Sequence, residues 1–108
     1  MSYLLHITET AERDLAEAAD YIEFSLKNPA AADRLFDLLA EETAVLAEQP
    51  KLFPLIDDAV LAAWGIRFVR VNRYLAFYTV DEPAKTVHIV RFLYGRRNWT
   101  HILKTEEF

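Results

Sequence analysis

Residues 87–99 read VHIVRFLYGRRNW, and this stretch decides how the rest of the chain is arranged. Its first eight residues are β-branched, aromatic or apolar apart from His88 and Arg91, so they predict a strand in the middle of a sheet. Gly95 ends the run, and two arginines follow it directly. A strand that ends in Gly-Arg-Arg sets fixed positive charge at a sheet edge, where an anionic partner can be bound.

The length and composition predict a single folded domain. The chain has 108 residues, enough to bury one core, so we expect one domain over residues 1–108. It has no cysteine, which excludes disulfides, thiolate zinc sites and a cysteine nucleophile. No run approaches the length of apolar sequence that spans a bilayer, and the first residues do not resemble a signal peptide. We therefore expect a cytoplasmic protein without membrane contact.

The net charge of −5 is divided unevenly along the chain. Residues 1–62 carry four basic against thirteen acidic side chains, a net charge of −9. Residues 63–108 carry eight basic against four acidic side chains, a net charge of +4. This asymmetry predicts either separate surfaces for cationic and anionic partners or simply an acidic, solvated helix surface. Charge alone leaves both interpretations open.

The first half of the chain predicts a strand and two helices. An apolar run at residues 3–8 indicates the strand. Apolar residues then recur at helical spacing over residues 11–26 and again over residues 30–46. Asn28 and Pro29 separate the two helices, because asparagine caps a helix and proline is tolerated in its first turn. So short a link between long amphipathic helices predicts an antiparallel helical hairpin.

The second half predicts a sheet. Residues 50–63 are the least regular part and indicate a loop with room for one helical turn. The period then changes to two, which predicts strands over residues 64–71, 74–80 and 87–94, followed by a short helix that ends near Lys104. The order is β-α-α-β-β-β-α. Strands grouped after helices, with short links, predict an α+β fold in which the hairpin packs on a small antiparallel sheet.

Several kinds of site are not predicted. The chain has only two glycines and therefore no glycine-rich phosphate loop. His6, His88 and His101 lie in separate predicted elements without the spacing of metal ligands. We therefore expect no metal site and no cofactor. Neither serine has the surroundings of a nucleophile.

The chemistry that remains belongs to a set of arginines: Arg67, Arg70, Arg73, Arg91, Arg96 and Arg97. Most of them lie on predicted adjacent strands or at the ends that join them, so they can converge in space. Arginine forks bind phosphate or carboxylate through two hydrogen bonds. Tyr74, Tyr78, Tyr94 and Trp99 are interleaved with them, and such aromatic side chains either stack on bases or pack in the core.

The segments quoted so far resemble the RelE/ParE superfamily of toxins from type II toxin–antitoxin modules. The resemblance covers nearly the whole chain and is most specific at its C-terminal end. It rests on TAERDL at 10–15, YI at 21–22, QP at 49–50, the strands at 67–71 and 74–80, and above all residues 87–99. It implies a helical hairpin on a small antiparallel sheet, the same arrangement that the patterns predict.

The superfamily divides by target. RelE-like members cut mRNA in the ribosomal A site with basic side chains on the sheet, whereas ParE-like members are not nucleases and mostly poison DNA gyrase. If this chain is RelE-like, the resemblance implies Arg67, Arg70, Tyr94 and Arg97 as catalytic candidates. In either case it implies a surface that binds the antitoxin or the target, formed by Arg67, Arg70, Arg91, Arg96, Arg97 and Trp99.

Departures from the RelE-like pattern favour the ParE-like branch. Leu75 stands where RelE-like toxins have a strand arginine, Leu103 where they have a late tyrosine, and Tyr94 where many relatives have histidine. A net negative chain is also poorly suited to docking on ribosomal RNA, because such binding gains from counterion release.

The resemblance therefore implies a plasmid-stabilisation toxin that inhibits a protein target such as DNA gyrase and is neutralised by a cognate antitoxin. It implies no specific DNA binding by the toxin alone. Two alternatives stay open: a RelE-like ribosome-dependent mRNA endoribonuclease, which would be an enzyme, and a non-toxic relative that acts only as a binding module.

Overall fold

The computed structural model describes residues 2–106. Within these residues the chain forms four strands and four α-helices: β1 Leu4–Ile7, α1 Glu9–Asp20, α2 Pro29–Thr43, α3 Ala59–Ala63, β2 Arg67–Val71, β3 Tyr74–Asp81, β4 Thr86–Tyr94 and α4 Trp99–Thr105. A π-helical turn, Tyr21–Ser25, extends α1, and a 3₁₀ turn, Ala44–Ala47, extends α2. The predicted α+β class is confirmed. None of the helices in the described part of the chain is long and apolar enough to cross a membrane.

Local capping chemistry makes the helical hairpin. The hydroxyl of Thr8 accepts a hydrogen bond from the N–H of Ala11 at 3.2 Å and so begins α1. Lys27 then takes a left-handed backbone conformation with φ of 53°, which ends the extension of α1. Asn28 caps α2, whose first residue is Pro29. The predicted hairpin and its Asn-Pro link are confirmed.

The sheet has the strand order β1-β4-β3-β2 and is mixed. Strands β2, β3 and β4 are antiparallel as predicted, but β1 runs parallel to β4. The reason lies in the hairpin, because α1 leads the chain away from β1 and α2 brings it back. The N–H of Tyr3, just before β1, donates to the C=O of Ala47, just after α2, at 2.7 Å. Strand β2 therefore starts at the end of the sheet where β1 starts. The β2–β3 and β3–β4 turns each reverse the chain, so β4 has the same direction as β2 and β1.

Each face of the sheet carries its own core. The hairpin covers one face, where it buries Ala11, Leu15, Leu35 and Leu39 against side chains that include Val69, Ala76, Tyr78 and Phe92. The short helices α3 and α4 cover the other face, where Leu61, Ile102 and Leu103 pack against Leu75, Phe77 and Leu93. The sequence predicted only the first layer. Helix α3 has five residues, too few for a helical period to show in the sequence.

A bulge in β4 turns Arg91 towards α1. Phe77 pairs with Arg91 and Tyr78 pairs with Ile89, so β4 has one extra residue at this point. A bulge breaks the alternation of side chains between the two faces and can redirect one of them. Arg91 leaves the regular alternation and its guanidinium meets the carboxylate of Asp14 on α1.

Asp14 accepts three hydrogen bonds at the edge of β4. Arg91 Nε and Nη2 donate to its two carboxylate oxygens at 2.6 and 3.0 Å, and the backbone N–H of Phe92 donates at 3.0 Å. β1 ends at Ile7, which pairs with Ile89, so beyond that point no strand covers this edge. Asp14 therefore takes over where β1 stops. Its hydrogen bond also raises the pKa of Arg91, which stays charged.

Removing Asp14 should be strongly destabilising. The side chains of Arg91 and Asp14 are only 6% and 9% exposed, and without Asp14 the buried guanidinium keeps only the weaker pair with the half-exposed carboxylate of Glu106, 3.6 Å away, among residues 2–106. We expect Asp14→Ala to lower the free energy of unfolding by about 3–5 kcal/mol in urea denaturation. Glu9→Ala is the matched control, because the Glu9–Arg13 pair is mostly exposed and should contribute less than about 1 kcal/mol. Equal losses in the two variants would contradict the role given to Asp14.

Candidate functional site

Three arginines line a cleft of about 440 Å³ at one end of the sheet. Its lining consists of Arg70, Arg73, Tyr94, Gly95 and Arg96, and we call it the arginine cleft. Strand β2 ends here, β3 begins and β4 ends, so the backbone brings together residues that are up to 26 positions apart. The cleft lies at the C-terminal end of β4, where the sequence predicted fixed positive charge.

The backbone of Gly95 allows the cleft to form. Its N–H donates to the C=O of Arg73 at 2.9 Å and so closes β4 against the β2–β3 turn. A Cβ at this position would lie 3.2 Å from that carbonyl oxygen and 3.8 Å from Arg70 Nη1. A side chain would therefore crowd the backbone of Arg73 and make an ordinary contact with Arg70. In the turn itself, Asn72 supplies the positive φ of 56° that places Arg73 at the tip.

The positive charge of the cleft is not compensated within the described residues. Arg70, Arg73 and Arg96 are exposed, and no carboxylate oxygen of residues 2–106 lies within 4 Å of their guanidinium nitrogens. Several other basic side chains of the protein do form ion pairs, as Lys104 does with Asp58 at 2.7 Å. Three neighbouring guanidinium groups without counter-charges form a site for phosphate or carboxylate groups.

An aromatic groove adjoins the arginine cleft. The rings of Tyr74 and Phe92 stack with centroids 4.9 Å apart, and Tyr94 meets Tyr74 edge-on at 5.6 Å. Together with Tyr21 and Arg97 these rings line a second cleft of about 270 Å³ beside α1. Burial, and then the proximity of Tyr94 and Tyr21, raises the pKa of Tyr74, whose hydroxyl therefore stays protonated. Tyr94 lines both clefts and joins them into one surface.

The structure separates the predicted site residues into two groups. Arg70, Tyr94 and Arg96 meet in the arginine cleft, and Arg97 is exposed in the adjoining groove. Arg67 lies at the opposite end of β2 and donates to the C=O of Phe53 at 2.5 Å. The four catalytic candidates of the RelE-like reading therefore do not converge, because Arg67 is three residues away from Arg70 along an extended strand.

Arg91 and Trp99 make contacts inside the protein and not on the arginine cleft. Arg91 is only 5% exposed and is bound to Asp14, so it presents little surface to a partner. Trp99 packs between Phe68 and Phe77, with ring centroids 6.1 and 5.4 Å away. The period-two pattern of β4 could not indicate the burial of Arg91, because the bulge that causes it leaves no signal in the sequence.

Tyr74 and Tyr21 line the aromatic groove. The sequence left open whether Tyr74 stacks on a base or packs in the core, and it indicated no site role for Tyr21. Tyr74 pairs with Tyr94 in the β3–β4 register, so a correct hairpin register would have found it. Tyr21 reaches the groove from the π-helical turn after α1, which the helical period does not reveal.

The lining limits what the arginine cleft can do chemically. Arginine binds anions firmly but is too weak an acid to exchange protons near neutral pH. Histidine and carboxylate side chains, the commonest general acids and bases, are absent from the residues that line this cleft in the described part of the chain. The arginines of the cleft can bind an anionic group. Among the described residues that line it, Tyr94 is the one side chain besides the arginines with a polar group.

Comparison with protein families gives a match over most of the chain. The model of the ParE toxin of the type II toxin–antitoxin system parDE matches residues 5–99. Among curated protein sequences, none is similar enough to count as a match.

Several solved structures have the same fold. A chain of the toxin–antitoxin complex RelBE2 from Mycobacterium tuberculosis has 22% identity and a TM-score of 0.60, with 87% of this chain and 99% of that one covered. A chain of the chromosomal ParDE system from P. aeruginosa has 18% identity and a TM-score of 0.68, with 86% and 96% covered. A chain of the archaeal RelE–RelB complex from Pyrococcus horikoshii OT3 has 18% identity and a TM-score of 0.56, with 90% and 99% covered.

Substitutions should separate the two kinds of arginine. Arg96→Ala should change the free energy of unfolding by less than about 0.5 kcal/mol, because the side chain is exposed and makes no ion pair within residues 2–106. Arg91→Ala should lower it by about 3–5 kcal/mol, because Asp14 then stays buried without its partner. Urea denaturation measures both. A loss above about 1 kcal/mol in Arg96→Ala would give that arginine a structural role.

Proposed function

Because the chain belongs to the ParE toxin family, and so is a type II toxin–antitoxin toxin of the RelE/ParE superfamily, we propose that it acts in the ParE-like manner. It binds and inhibits a protein, with DNA gyrase as the expected target, and a cognate antitoxin neutralises it. The observation that carries this proposal is the arginine cleft, which offers strong anion binding without an evident acid–base pair.

Cleavage of RNA requires more than anion binding. The attacked 2′-hydroxyl must lose a proton and the leaving oxygen must gain one, and positioned side chains normally perform both transfers. In the arginine cleft only Tyr94 is placed to take part, and its partners are guanidinium groups. A site of this composition favours recognition of a carboxylate-bearing surface over proton transfer.

The leucines that replace two expected polar residues support the same conclusion. Leu75 is 3% exposed and Leu103 is 1% exposed, and both belong to the core between the sheet and the short helices. Neither position faces the solvent. A polar functional side chain at either position would therefore be buried and would disturb the core.

The RelE-like alternative keeps one point in its favour. Arg70, Arg73 and Arg96 can surround a phosphate, and electrostatic stabilisation alone gives some acceleration of phosphoryl chemistry. This alternative differs from the main proposal in a measurable way, because it requires loss of intact mRNA during translation.

Antitoxin binding is proposed for the same surface. The arginine cleft supplies unpaired positive charge, and the aromatic groove beside it supplies apolar area. At the tip of the hairpin Phe24 and Leu26 are 70% and 57% exposed and offer further apolar area. An antitoxin segment with acidic and apolar residues would complement both parts and cover the residues that meet the target.

Inhibition of gyrase should depend on the arginine cleft. We expect Arg96→Ala to weaken inhibition of supercoiling by purified gyrase at least about tenfold, the usual effect of losing a charged hydrogen bond at an interface. Arg34→Ala is the matched control, because this substitution removes the same charge at an exposed position of α2 that does not line the cleft. Equal effects of the two substitutions would exclude the cleft as the target-binding surface, and absence of inhibition by the wild-type chain would exclude gyrase.

Antitoxin affinity should depend on salt. Charge pairing at an exposed cleft is screened as the ionic strength rises, so the dissociation constant measured by calorimetry should increase from low to high salt. Arg70→Ala should both weaken binding and reduce this salt dependence. An affinity that does not change with salt would mean that the arginines do not contact the antitoxin.

A further inference from the structure

Two histidines that are 82 residues apart meet on the sheet. His6 on β1 and His88 on β4 are partners in the parallel register, and their side chains lie on the same face. Their Nδ1 atoms are 2.8 Å apart and share a hydrogen bond, in which one imidazole donates its proton to the other, and the rings are nearly perpendicular, with an interplanar angle of 87°. His6 is exposed and the side chain of His88 is 30% exposed, so a small ion can reach both from solvent.

Asp81 lies beside one of the two imidazoles. Its Oδ2 is 3.7 Å from Nε2 of His88, which is too long for a direct hydrogen bond but close enough for electrostatic attraction. Its Oδ1 accepts the N–H of Ala84 at 3.2 Å, which fixes the carboxylate in the β3–β4 turn. A carboxylate near Nε2 favours the proton on that nitrogen, so that Nδ1 of His88 accepts the hydrogen bond from His6.

We propose that His6 and His88 form a two-histidine site for a divalent transition-metal ion, of which Cu²⁺ and Ni²⁺ fit best. Each imidazole contributes Nδ1. The ion replaces the proton that these two nitrogens share, which is released to solvent, and each ring turns about its last torsion, which is soft for histidine, to direct its lone pair at the ion. Water completes the coordination, because the described residues offer no group of three side chains that could hold an ion.

The ligand type favours the metal. Imidazole nitrogens suit copper and nickel, and Cu²⁺ has the highest affinity for nitrogen ligands among the divalent ions of this row.

The site would tie the edge strand to the sheet. Leu4–Ile7 pairs only with β4 along this sheet, and the two histidines belong to those two strands. An ion that binds both side chains in the folded protein, and not in the unfolded chain, raises the stability of the fold by mass action. Metal binding would then act on β1 and leave the arginine cleft unchanged.

The test is a calorimetric titration of the full chain, without a histidine tag, with CuCl₂. The wild type should bind one Cu²⁺, and its electron paramagnetic resonance spectrum should show two coordinated imidazole nitrogens. His6→Gln and His88→Gln should each bind at least about tenfold more weakly, and Asp81→Asn should show a loss of similar size. His101→Gln is the matched control and should bind like the wild type, because His101 lies on α4, apart from the pair.

Stability measurements keep the test independent of folding defects. Without metal, His6→Gln should have the melting temperature of the wild type, since His6 is exposed. With Cu²⁺, the melting temperature should rise in the wild type and in His101→Gln but not in His6→Gln. Equal Cu²⁺ affinity of the wild type and His6→Gln, or loss of binding in His101→Gln, would overturn the proposal.

Discussion

The ion pair between Asp14 and Arg91 joins helix α1 to the edge of the sheet. β1 has only four residues, so beyond Ile89 the edge of β4 that faces away from β3 has no neighbouring strand. Asp14 fills that gap from α1, because one carboxylate binds both the guanidinium of Arg91 and the N–H of Phe92. Both charges are buried and neither can be lost alone without a large loss of stability. This contact adds a polar link between the hairpin and the edge of β4 to the apolar packing of the hairpin on the sheet.

The arginines of this chain therefore fall into two groups, one buried in an ion pair and the other exposed at the cleft. Arg91 is bound inside the molecule and keeps the hairpin on the sheet. Arg70, Arg73 and Arg96 lie within two residues of a strand end and face solvent without counter-charges among the described residues. Concentrating unpaired positive charge is unfavourable for the free protein, and a partner with negative charge relieves it. The positive cleft and the aromatic groove beside it thus form one continuous surface, joined at Tyr94.

Much of this architecture could be predicted from the sequence, because it depends on local chemistry. The period of the apolar residues gave the hairpin and the three C-terminal strands, and Asn28 with Pro29 gave the link between the helices. The parallel pairing of β1 could not be predicted, since it depends on where the hairpin returns the chain. The bulge in β4 also has no signal in the sequence. It places Arg91, which was predicted to lie on the binding surface, in the interior. The contact between His6 and His88 was missed because it follows from that same parallel register.

The central claim is that this toxin binds a protein and does not cut RNA. The most direct measurement is the integrity of mRNA in a translating cell-free extract that receives purified toxin, with the same preparation shown to inhibit gyrase in parallel. The account predicts that the message stays intact while gyrase is inhibited, and that antitoxin reverses the inhibition. Cuts between codons that depend on translation and disappear with antitoxin would contradict it, and would make the arginine cleft a ribonuclease site.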